Sequence, residues 1–331
     1  MSVITVGLDR SYPVRIDINC EEELLRLVQG RQRVALFFSE NMKDSIPTLS
    51  NADAEIFRFP LPDSEEAKSA RVLTKVWDWF GAAGFTRSDL VVAIGGGAVT
   101  DFAGFAAASW LRGVDWVAVP TTMAGMVDAS IGGKTGINSD YGKNLIGAFH
   151  SPLEVLIDTQ WLTTLSDRDF AAGLAEVVKA GFIYDKGIIT AIGDRNLSEV
   201  RSSVSLTLEL IERAVKVKAE VVSSDFKEDF NREILNYGHT FGHAIELDCK
   251  YSLRHGECVS IGMVFIAELA FSLGLMEKNL LDLHRQILAN LSLPITYAGQ
   301  SWETLYANMK IDKKTRGNLL RFVAVTEIGK T

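Results

Sequence analysis

Short apolar runs alternate with helical stretches through the first half of the chain, and this alternation constrains the possible fold more than any other feature. Buried strands are predicted at residues 33–38, 54–59, 89–94 and 115–119. Apolar residues at helical spacing predict helices at residues 65–83 and 101–111. Strands that alternate with helices in this way favour a parallel, doubly wound α/β sheet.

Long helical stretches dominate after about residue 160. Helices are predicted there at residues 170–182, 204–223, 233–249, 257–273 and 278–289. Because 331 residues suit two domains of ordinary size, we expect an α/β domain over residues 1–160 and an all-α domain over residues 161–331. Residues 124–150 are rich in Gly, Ser, Asp and Lys, and we expect them to form a long functional loop.

Charge and cysteine content limit the classes of function. The net charge of −8 and the pI near 5.3 argue against a protein that binds nucleic acid, whereas a small anionic substrate needs only a few local cations. Three scattered cysteines without CxxC spacing fit a reducing compartment and offer no disulfide framework. We find neither a signal-peptide pattern nor an uninterrupted apolar stretch of transmembrane length, so we expect a cytoplasmic protein.

The most informative segment for function, residues 232–246, holds two of the five histidines, His239 and His243, four residues apart. On one helix this spacing places both imidazoles on the same face, within reach of one metal ion or one anionic substrate. Arg232 and Asn236 continue the same stripe, where a core helix would carry apolar residues. Polar groups on one helical face predict a site.

A solvated helix surface is the ordinary alternative for such a histidine pair. Gly238 and Gly242, within the same predicted helix, weigh against it because each costs about 0.5–1 kcal/mol relative to alanine. They indicate that a ligand or a neighbouring backbone approaches closely. A third histidine, His255, follows a short way along the chain.

A glycine run, Gly95, Gly96 and Gly97, lies between a predicted strand and a predicted helix. Such glycines let a backbone approach a pyrophosphate at a helix N-terminus. Thr100 replaces the third glycine of the usual dinucleotide pattern, and an ordinary tight turn gives the same letters. Asp101 is either part of a cofactor site or a first-turn acid.

A second glycine-rich run, residues 132–136, contains Lys134 but is not a P-loop, since Asp128 stands where the first glycine is required. This departure excludes a nucleoside triphosphatase of the Walker type. Lys134 and Lys143 are either solvated loop lysines or ligands of phosphate or carboxylate.

Several charged residues have more than one possible interpretation from the sequence. Glu176 and Lys179 lie three residues apart on an otherwise apolar helix, which is typical of a surface ion pair. The alternative makes Glu176 a metal ligand beside two histidines. Lys218 and the run 310–314 are, by themselves, typical of solvated helix charges.

Taken together, these motifs resemble the 3-dehydroquinate synthase family of sugar-phosphate cyclases. The resemblance covers nearly the whole chain and depends on residues 65–68, 95–101, 120–122, 128–138, 142–144, 175–179, 232–246, 254–256 and 312–314. It implies an N-terminal NAD-binding domain of Rossmann type, a helical C-terminal domain and an active site between them. It also implies a further helix beyond Thr331.

The resemblance implies a zinc or cobalt ion held by Glu176, His239 and His255, so that His243 faces the substrate. Residues implied to contact NAD are Glu65, Lys68, Gly95, Gly96, Gly97, Asp101, Thr121, Thr122, Lys134, Lys143 and Thr164. Residues implied to surround the substrate are Asp128, Lys134, Asn144, Lys179, Lys218, Arg232, Asn236, His243 and either Lys313 or Lys314. An arginine matching Arg112 reaches across a dimer interface in the family, which implies a homodimer.

The implied substrate, 3-deoxy-D-arabino-heptulosonate 7-phosphate, carries a carboxylate and a phosphate, which accounts for local cations in an acidic protein. The implied reaction oxidises the C5 hydroxyl with NAD, eliminates phosphate, returns the hydride and closes a ring by an aldol step. The alternatives are an inosose- or valiolone-type cyclase, a metal-dependent polyol dehydrogenase, and a cyclase-derived binding protein. Arg232, Asn236, His243 and the Lys313–Lys314 pair match the dehydroquinate-type set, so the resemblance favours that type among the cyclases.

Overall fold

The computed structural model describes residues 1–7, 10–225, 231–299, 301–312 and 320–331. The chain divides into two units, Met1–Thr164 and Leu165–Thr331. The first unit contains a mostly parallel sheet with crossing helices, and the second is helical. The predicted combination of an α/β domain with an all-α domain is confirmed.

The strands of the first unit include all four that the sequence predicted. They are β1 (Ser2–Val6), β2 (Tyr12–Ile16), β3 (Arg33–Ser39), β4 (Glu55–Leu61), β5 (Leu90–Gly95), β6 (Asp115–Pro120), β7 (Lys134–Ser139), β8 (Gly142–Phe149) and β9 (Glu154–Ile157). Seven form one sheet in the order β1-β2-β9-β6-β5-β3-β4, and only the β1–β2 pair is antiparallel. The central strands β3, β5 and β6 are almost entirely buried, as expected of a covered parallel sheet.

Three α-helices accompany this sheet in the described part of the first unit, and two of them correct the predicted boundaries. They are α1 (Cys20–Val28), α2 (Ala70–Ala82) and α3 (Gly97–Ser109). The helix expected from residue 65 begins only at α2, because the Ser69 hydroxyl caps it by accepting a hydrogen bond from the Val72 N–H. The helix expected from residue 101 begins at Gly97 and ends before Leu111, which adopts a positive φ of 48°.

The long loop expected over residues 124–150 is wrong. This segment contains a single π-helical turn, Gly125–Ala129, followed by the antiparallel hairpin β7–β8. Its glycines serve close packing, because a Cβ atom at Gly147 would lie 2.3 Å from the Thr135 carbonyl oxygen on the facing strand. Glycine content therefore indicates backbone contact here and not an open loop.

The second unit is built from helices in its described residues. They are α4 (Asp167–Ile183), α5 (Lys186–Ile192), α6 (Leu197–Ser202), α7 (Val204–Ser224), α8 (His239–Asp248), α9 (His255–Ser272), α10 (Lys278–Asn290) and α11 (Trp302–Asp312). Among described helices, α9 alone is long and apolar enough to cross a membrane, with a mean hydropathy of 1.2. It packs against α4, α8 and α10, and most of it is buried, which is typical of a core helix.

The predicted helix over residues 233–249 is wrong in its first half. Asn231–Asn236 forms a short 3₁₀ helix, and Gly238 then adopts the left-handed conformation with φ of 77°. The α-helix begins only at His239. Arg232 and Asn236 therefore do not share one helical stripe with the two histidines.

Candidate active site

Helix α4 carries an ion pair in the interior of the second unit. Only 2% of the Glu176 side chain and 4% of the Lys179 side chain are exposed, so the expected surface pair is wrong. The Lys179 ammonium contacts Glu176 Oε2. Neither oxygen of Glu176 makes a hydrogen bond of ordinary geometry with the described residues. Burying a carboxylate that lacks ordinary hydrogen bonds is unfavourable, and further positive charge close to its oxygens would stabilise it.

Two imidazoles meet the other oxygen of this carboxylate. His239 Nε2 lies 3.4 Å from Glu176 Oε1, and His255 Nε2 lies 3.3 Å from the same oxygen. The two histidines are the first residues of α8 and α9, and their ring centroids are 5.2 Å apart. One donor atom from each of the three side chains lies within 4.8 Å of the others.

The hydrogen bonds made by the Nδ1 atoms of the two histidines determine the tautomer of each ring, and so whether the Nε2 atom facing Glu176 carries a lone pair. His239 Nδ1 lies 3.1 Å from the Tyr237 carbonyl oxygen, and His255 Nδ1 lies 3.2 Å from Glu246 Oε1. Both partners can only accept, so each Nδ1 carries the hydrogen. In the neutral rings, both Nε2 lone pairs then point at a carboxylate oxygen. One acid and two imidazoles arranged in this way fit a divalent metal such as zinc.

Neighbouring charges and burial set the protonation states of Glu176, His239 and His255, and these states determine how the cluster binds a cation. Burial opposes ionisation of Glu176, but Lys179 and His239 hold the pKa of this carboxyl well below its usual range. Burial, reinforced by Lys179, lowers the pKa of His239 to about 4, so its ring is neutral. Burial also opposes the charged form of His255, but the neighbouring carboxylates of Glu176 and Glu246 raise its pKa to about 10. A metal ion would therefore displace a proton from His255.

Glycines bring the beginnings of α8 and α9 together. A Cβ atom at Gly262 would lie 1.9 Å from the Gly238 carbonyl oxygen, and one at Gly242 would lie 3.0 Å from the Cys258 carbonyl oxygen. The inference that a neighbouring backbone approaches these glycines is thus confirmed. Larger side chains would separate the helices and with them the two histidines.

The remaining candidate residues of the second unit surround this cluster to different extents. His243 lies one turn after His239 on α8, with its ring centroid 5.4 Å from that of His239 and 6.0 Å from that of His255. Arg232 is buried and donates its backbone N–H to Asp225 at 3.1 Å. Asn236 and Lys218 are half-buried.

The two C-terminal lysines implied to contact the substrate, Lys313 and Lys314, lie outside the described residues.

In the first unit, the glycine turn expected to receive a cofactor leads into α3. Gly96 is the N-cap residue, and no side chain caps the helix there. A Cβ atom at Gly96 would lie 3.1 Å from the Thr122 side chain, and one at Gly97 would lie 3.1 Å from Ala129. The Thr121 N–H donates to the Gly95 carbonyl oxygen at 3.0 Å. A helix N-terminus of this kind suits a phosphate group.

A buried lysine, Lys68, joins two other residues that are expected to contact the cofactor or the substrate. The Lys68 ammonium lies 2.6 Å from Asp101 Oδ2 and also contacts the Asn144 side-chain oxygen. Burial raises the pKa of Asp101, while Lys68 opposes that effect. Asn144 adopts a positive φ of 56°, which turns the start of the hairpin strand β8 toward Lys68.

Glu65 anchors a second part of the same network. The Asn138 side-chain amide donates to Glu65 Oε2 at 2.7 Å, and the Lys143 ammonium lies 3.4 Å from Oε1. Burial opposes ionisation of Glu65, but Lys68, Asn138 and Lys143 lower its pKa. The network therefore joins residues that are far apart in the sequence through their charges.

The other expected residues of this unit lie on diverse elements. Asp128 is half-buried in the π-helical turn, and Lys134 is an exposed residue of β7, not of a loop. Thr164 is exposed and its hydroxyl donates to a main-chain oxygen at 2.7 Å. Arg112 is exposed with a φ of 67°.

Sequence reasoning missed two residues that contact the histidine pair, Glu246 and the carbonyl of Tyr237. A signal for Glu246 was present, because it lies seven residues after His239 and three after His243, on the same helical face. No signal in the sequence pointed to the Tyr237 carbonyl, because every residue has a main-chain carbonyl group.

Two solved structures share this fold. A 2-deoxy-scyllo-inosose synthase in complex with carbaglucose-6-phosphate, NAD+ and Co2+ has a TM-score of 0.88 at 26% identity, over 99% of this chain and 93% of that one. The 2-epi-5-epi-valiolone synthase ValA from Streptomyces hygroscopicus subsp. jinggangensis, with NAD+ and Zn2+ bound, has a TM-score of 0.88 at 27% identity over the same shares. The fold is that of the sugar-phosphate cyclases.

Residues 58–172 match the 3-dehydroquinate synthase N-terminal family, and residues 173–315 match the 3-dehydroquinate synthase C-terminal family. A 3-dehydroquinate synthase of Streptomyces coelicolor is 52% identical over 325 residues, which is 96% of this chain and 89% of that protein. The chain belongs to the 3-dehydroquinate synthase family.

Proposed function

We propose that the chain converts 3-deoxy-D-arabino-heptulosonate 7-phosphate into 3-dehydroquinate and phosphate, a carbon–oxygen lyase reaction of the shikimate pathway. Its cofactors are NAD and one divalent metal ion, zinc or cobalt. Family membership supports the choice of reaction. The cluster of Glu176, His239 and His255 supports the choice of a metal centre.

The observation that carries the metal assignment is the meeting of three electron-rich atoms. One oxygen of Glu176 faces two Nε2 atoms at 3.3 and 3.4 Å, while both Nδ1 atoms are engaged in hydrogen bonds. Neutral imidazoles in this geometry repel the carboxylate unless a cation enters. A proton on His255 relieves only one contact, whereas a divalent ion relieves all of them.

When bound, the metal supplies Lewis acidity toward a substrate hydroxyl and NAD supplies reversible hydride uptake, so the net reaction is redox-neutral. The position of Lys179 beside Glu176 supports a role for its ammonium in holding an oxyanion of the substrate. We assign no side chain as the base for the C–H bond, because the substrate phosphate serves that role in the family. Residues assigned to the substrate are Asp128, Lys134, Asn144, Lys179, Lys218, Arg232, Asn236, His243, Arg112 and Lys314.

The uncapped start of α3 supports a place for the NAD pyrophosphate, since backbone N–H groups and the helix dipole favour an anion there. A Cβ atom at Gly96 or Gly97 would be crowded by a side chain at 3.1 Å, so glycine leaves the most room at that turn. Residues assigned to NAD are Glu65, Lys68, Gly95, Gly96, Gly97, Asp101, Thr121, Thr122, Lys134, Lys143 and Thr164.

A homodimer in the cytoplasm completes the proposal. Arg112 stands exposed on a left-handed turn, which suits a residue that reaches out of its own subunit. The three cysteines are free thiols, which fits a reducing compartment. Sedimentation should give twice the chain mass of 36.4 kDa, and a monomer that is fully active would contradict the dimer.

The test is an assay of phosphate release with three substrates. The protein is incubated with NAD, Zn2+ or Co2+, and either the heptulosonate phosphate, glucose 6-phosphate or glycerol. We expect phosphate and 3-dehydroquinate from the first substrate only, with no net NADH at 340 nm. Cyclisation of glucose 6-phosphate would indicate an inosose-type cyclase, and steady NADH production from glycerol would indicate a polyol dehydrogenase. Either result would overturn the proposal.

A further inference from the structure

The carboxylate of Glu246 lies on the far side of the His255 ring from Glu176. Its Oε1 is 3.2 Å from His255 Nδ1, and 9% of its side chain is exposed. The His255 ring thus lies between two carboxylates, one at each nitrogen. Only Glu176 is within reach of His239 Nε2 as well, so the two acids have different environments.

The two candidate ligand histidines are held in different ways. The partner of His239 Nδ1 is the neutral carbonyl of Tyr237, a fully buried residue two positions earlier in the chain. His255 is the first residue of α9, and 41% of its side chain is exposed, so packing alone restrains its ring less. Its orientation depends on the hydrogen bond to Glu246.

We propose that Glu246 is a positioning residue that fixes the tautomer and the direction of His255 as a metal ligand. This inference rests on the proposed metal centre. With Nδ1–H held by a carboxylate, the Nε2 lone pair stays directed at the space beside Glu176 Oε1. A negatively charged partner also makes the imidazole a stronger donor to a metal than a neutral carbonyl does.

A second arrangement of the same atoms competes with this assignment. His243, Glu246 and His255 also offer three donor atoms within 4.8 Å, which could hold a separate cation. The His255 nitrogen in contact with Glu246 is Nδ1, which would have to lose its hydrogen to bind that cation. Because a hydrogen on Nδ1 accounts for the 3.2 Å contact with Glu246, the positioning role uses the observed geometry directly.

The experiment compares Glu246→Gln and Glu246→Leu with the matched control Glu257→Gln. Glu257 also supports the start of α9, because it accepts hydrogen bonds from the Arg254 backbone and from Arg168, but it is not paired with an imidazole. Metal-free proteins are titrated with Zn2+ against a chromophoric chelator. The visible absorption of the Co2+-loaded proteins reports the ligand field. Circular dichroism checks the fold.

We expect Zn2+ affinity to fall roughly 10–100-fold in Glu246→Leu and by a smaller factor in Glu246→Gln, which keeps an acceptor. The Co2+ absorption bands should shift in both variants, while Glu257→Gln keeps the affinity and spectrum of the unsubstituted protein. Unchanged affinity and spectra in both Glu246 variants would overturn the proposal. Equal losses in all three variants would overturn it too, because they would reflect helix packing.

Metal stoichiometry separates the remaining outcomes. Two ions bound by the unsubstituted protein and one by Glu246→Gln would indicate a second cation site and contradict the positioning role. A protein that binds one ion tightly but releases no phosphate from the heptulosonate phosphate would sink the proposed reaction and leave the Glu246 result standing. A protein that binds no divalent ion would sink both the metal centre and this inference.

Discussion

Two regions of the molecule neutralise a carboxylate in different ways. Asp101 in the first unit meets an internal ammonium, with Lys68 Nζ at 2.6 Å. Glu176 in the second unit pairs one oxygen with Lys179 and turns the other toward two imidazoles. The first pair is neutral by itself, whereas the second region, with Glu246 nearby, is neutral only while His255 carries a proton. We infer that one region is built to receive a cation and the other a cofactor.

The largest effect should follow from Glu176→Gln. Loss of the charged oxygen should abolish stoichiometric metal binding and bring phosphate release below detection, while NAD affinity stays unchanged. Lys179 would also lose its buried partner, which typically costs about 3–5 kcal/mol. Elemental analysis, the phosphate assay and urea unfolding measure the three effects. The exposed Glu209→Gln, on α7, is the control, and full metal occupancy in Glu176→Gln would show that the two regions do not differ as described.

The reciprocal change is Lys68→Met in the first region. Asp101 then lacks its ammonium and must take up a proton or draw in water, so we expect weaker NAD binding and a loss of stability of about 3 kcal/mol. Zn2+ affinity should not change. Lys75→Met, on the exposed side of α2, is the matched control. Fluorescence titration with NADH measures the first effect, and equal losses of NADH and Zn2+ affinity would contradict the separation.

Acid should destabilise the second unit through a histidine outside the metal cluster. His284 is fully buried and stacks on Phe182. Its Nε2 atom accepts a hydrogen bond from the Tyr237 hydroxyl at 2.9 Å. Burial lowers the pKa of His284 to about 4. The neutral ring is favoured in the folded state, so its contribution is complete above pH 6.5 and is lost as the pH falls toward 4. The loss reaches about 3 kcal/mol.

Urea unfolding of metal-free protein between pH 7 and pH 4.5 measures this loss. His284→Gln should show a shallower decline with acid than the unsubstituted chain, because it cannot take up that proton. The same slope in both proteins would mean that His284 is not responsible.

The smallest predicted effect is the number of protons that the protein releases when it binds Zn2+. The pKa of His255 is raised to about 10, above the unfolded value of about 6.5, so the metal-free protein keeps this proton at neutral pH. Zn2+ binding at pH 8 should therefore release about one proton, and the release should vanish as the pH rises through 10. Calorimetry in buffers of different ionisation enthalpy measures the count. No proton release at pH 8 would contradict the proton assigned to His255 in the metal-free protein.

The sequence predicted the sheet well because buried parallel strands carry a strong local signal. The runs that became β3, β5 and β6 are apolar on both faces. The hairpin β7–β8 was missed because its glycines were attributed to flexibility, while their role depends on a facing strand. Gly238 shows the same limit, since its left-handed conformation depends on contact with α9 and leaves no trace in helical periodicity.

The site was predictable in part. Spacing alone favoured His239 with His243, and only the family resemblance brought His255 forward as a candidate ligand beside Glu176. The structure brings Glu176, His239 and His255 together. Burial of Glu176 could not be read from an i, i+3 pair that is usually exposed. Glu246 was missed because its partner lies on another helix.

The central claim is best tested by anomalous diffraction from crystals grown with Zn2+. We predict one peak at about 2.0–2.2 Å from Glu176 Oε1, His239 Nε2 and His255 Nε2 together, with Glu246 still bonded to His255 Nδ1. A peak held by His243 and Glu246 instead, or no peak near Glu176, would contradict the account.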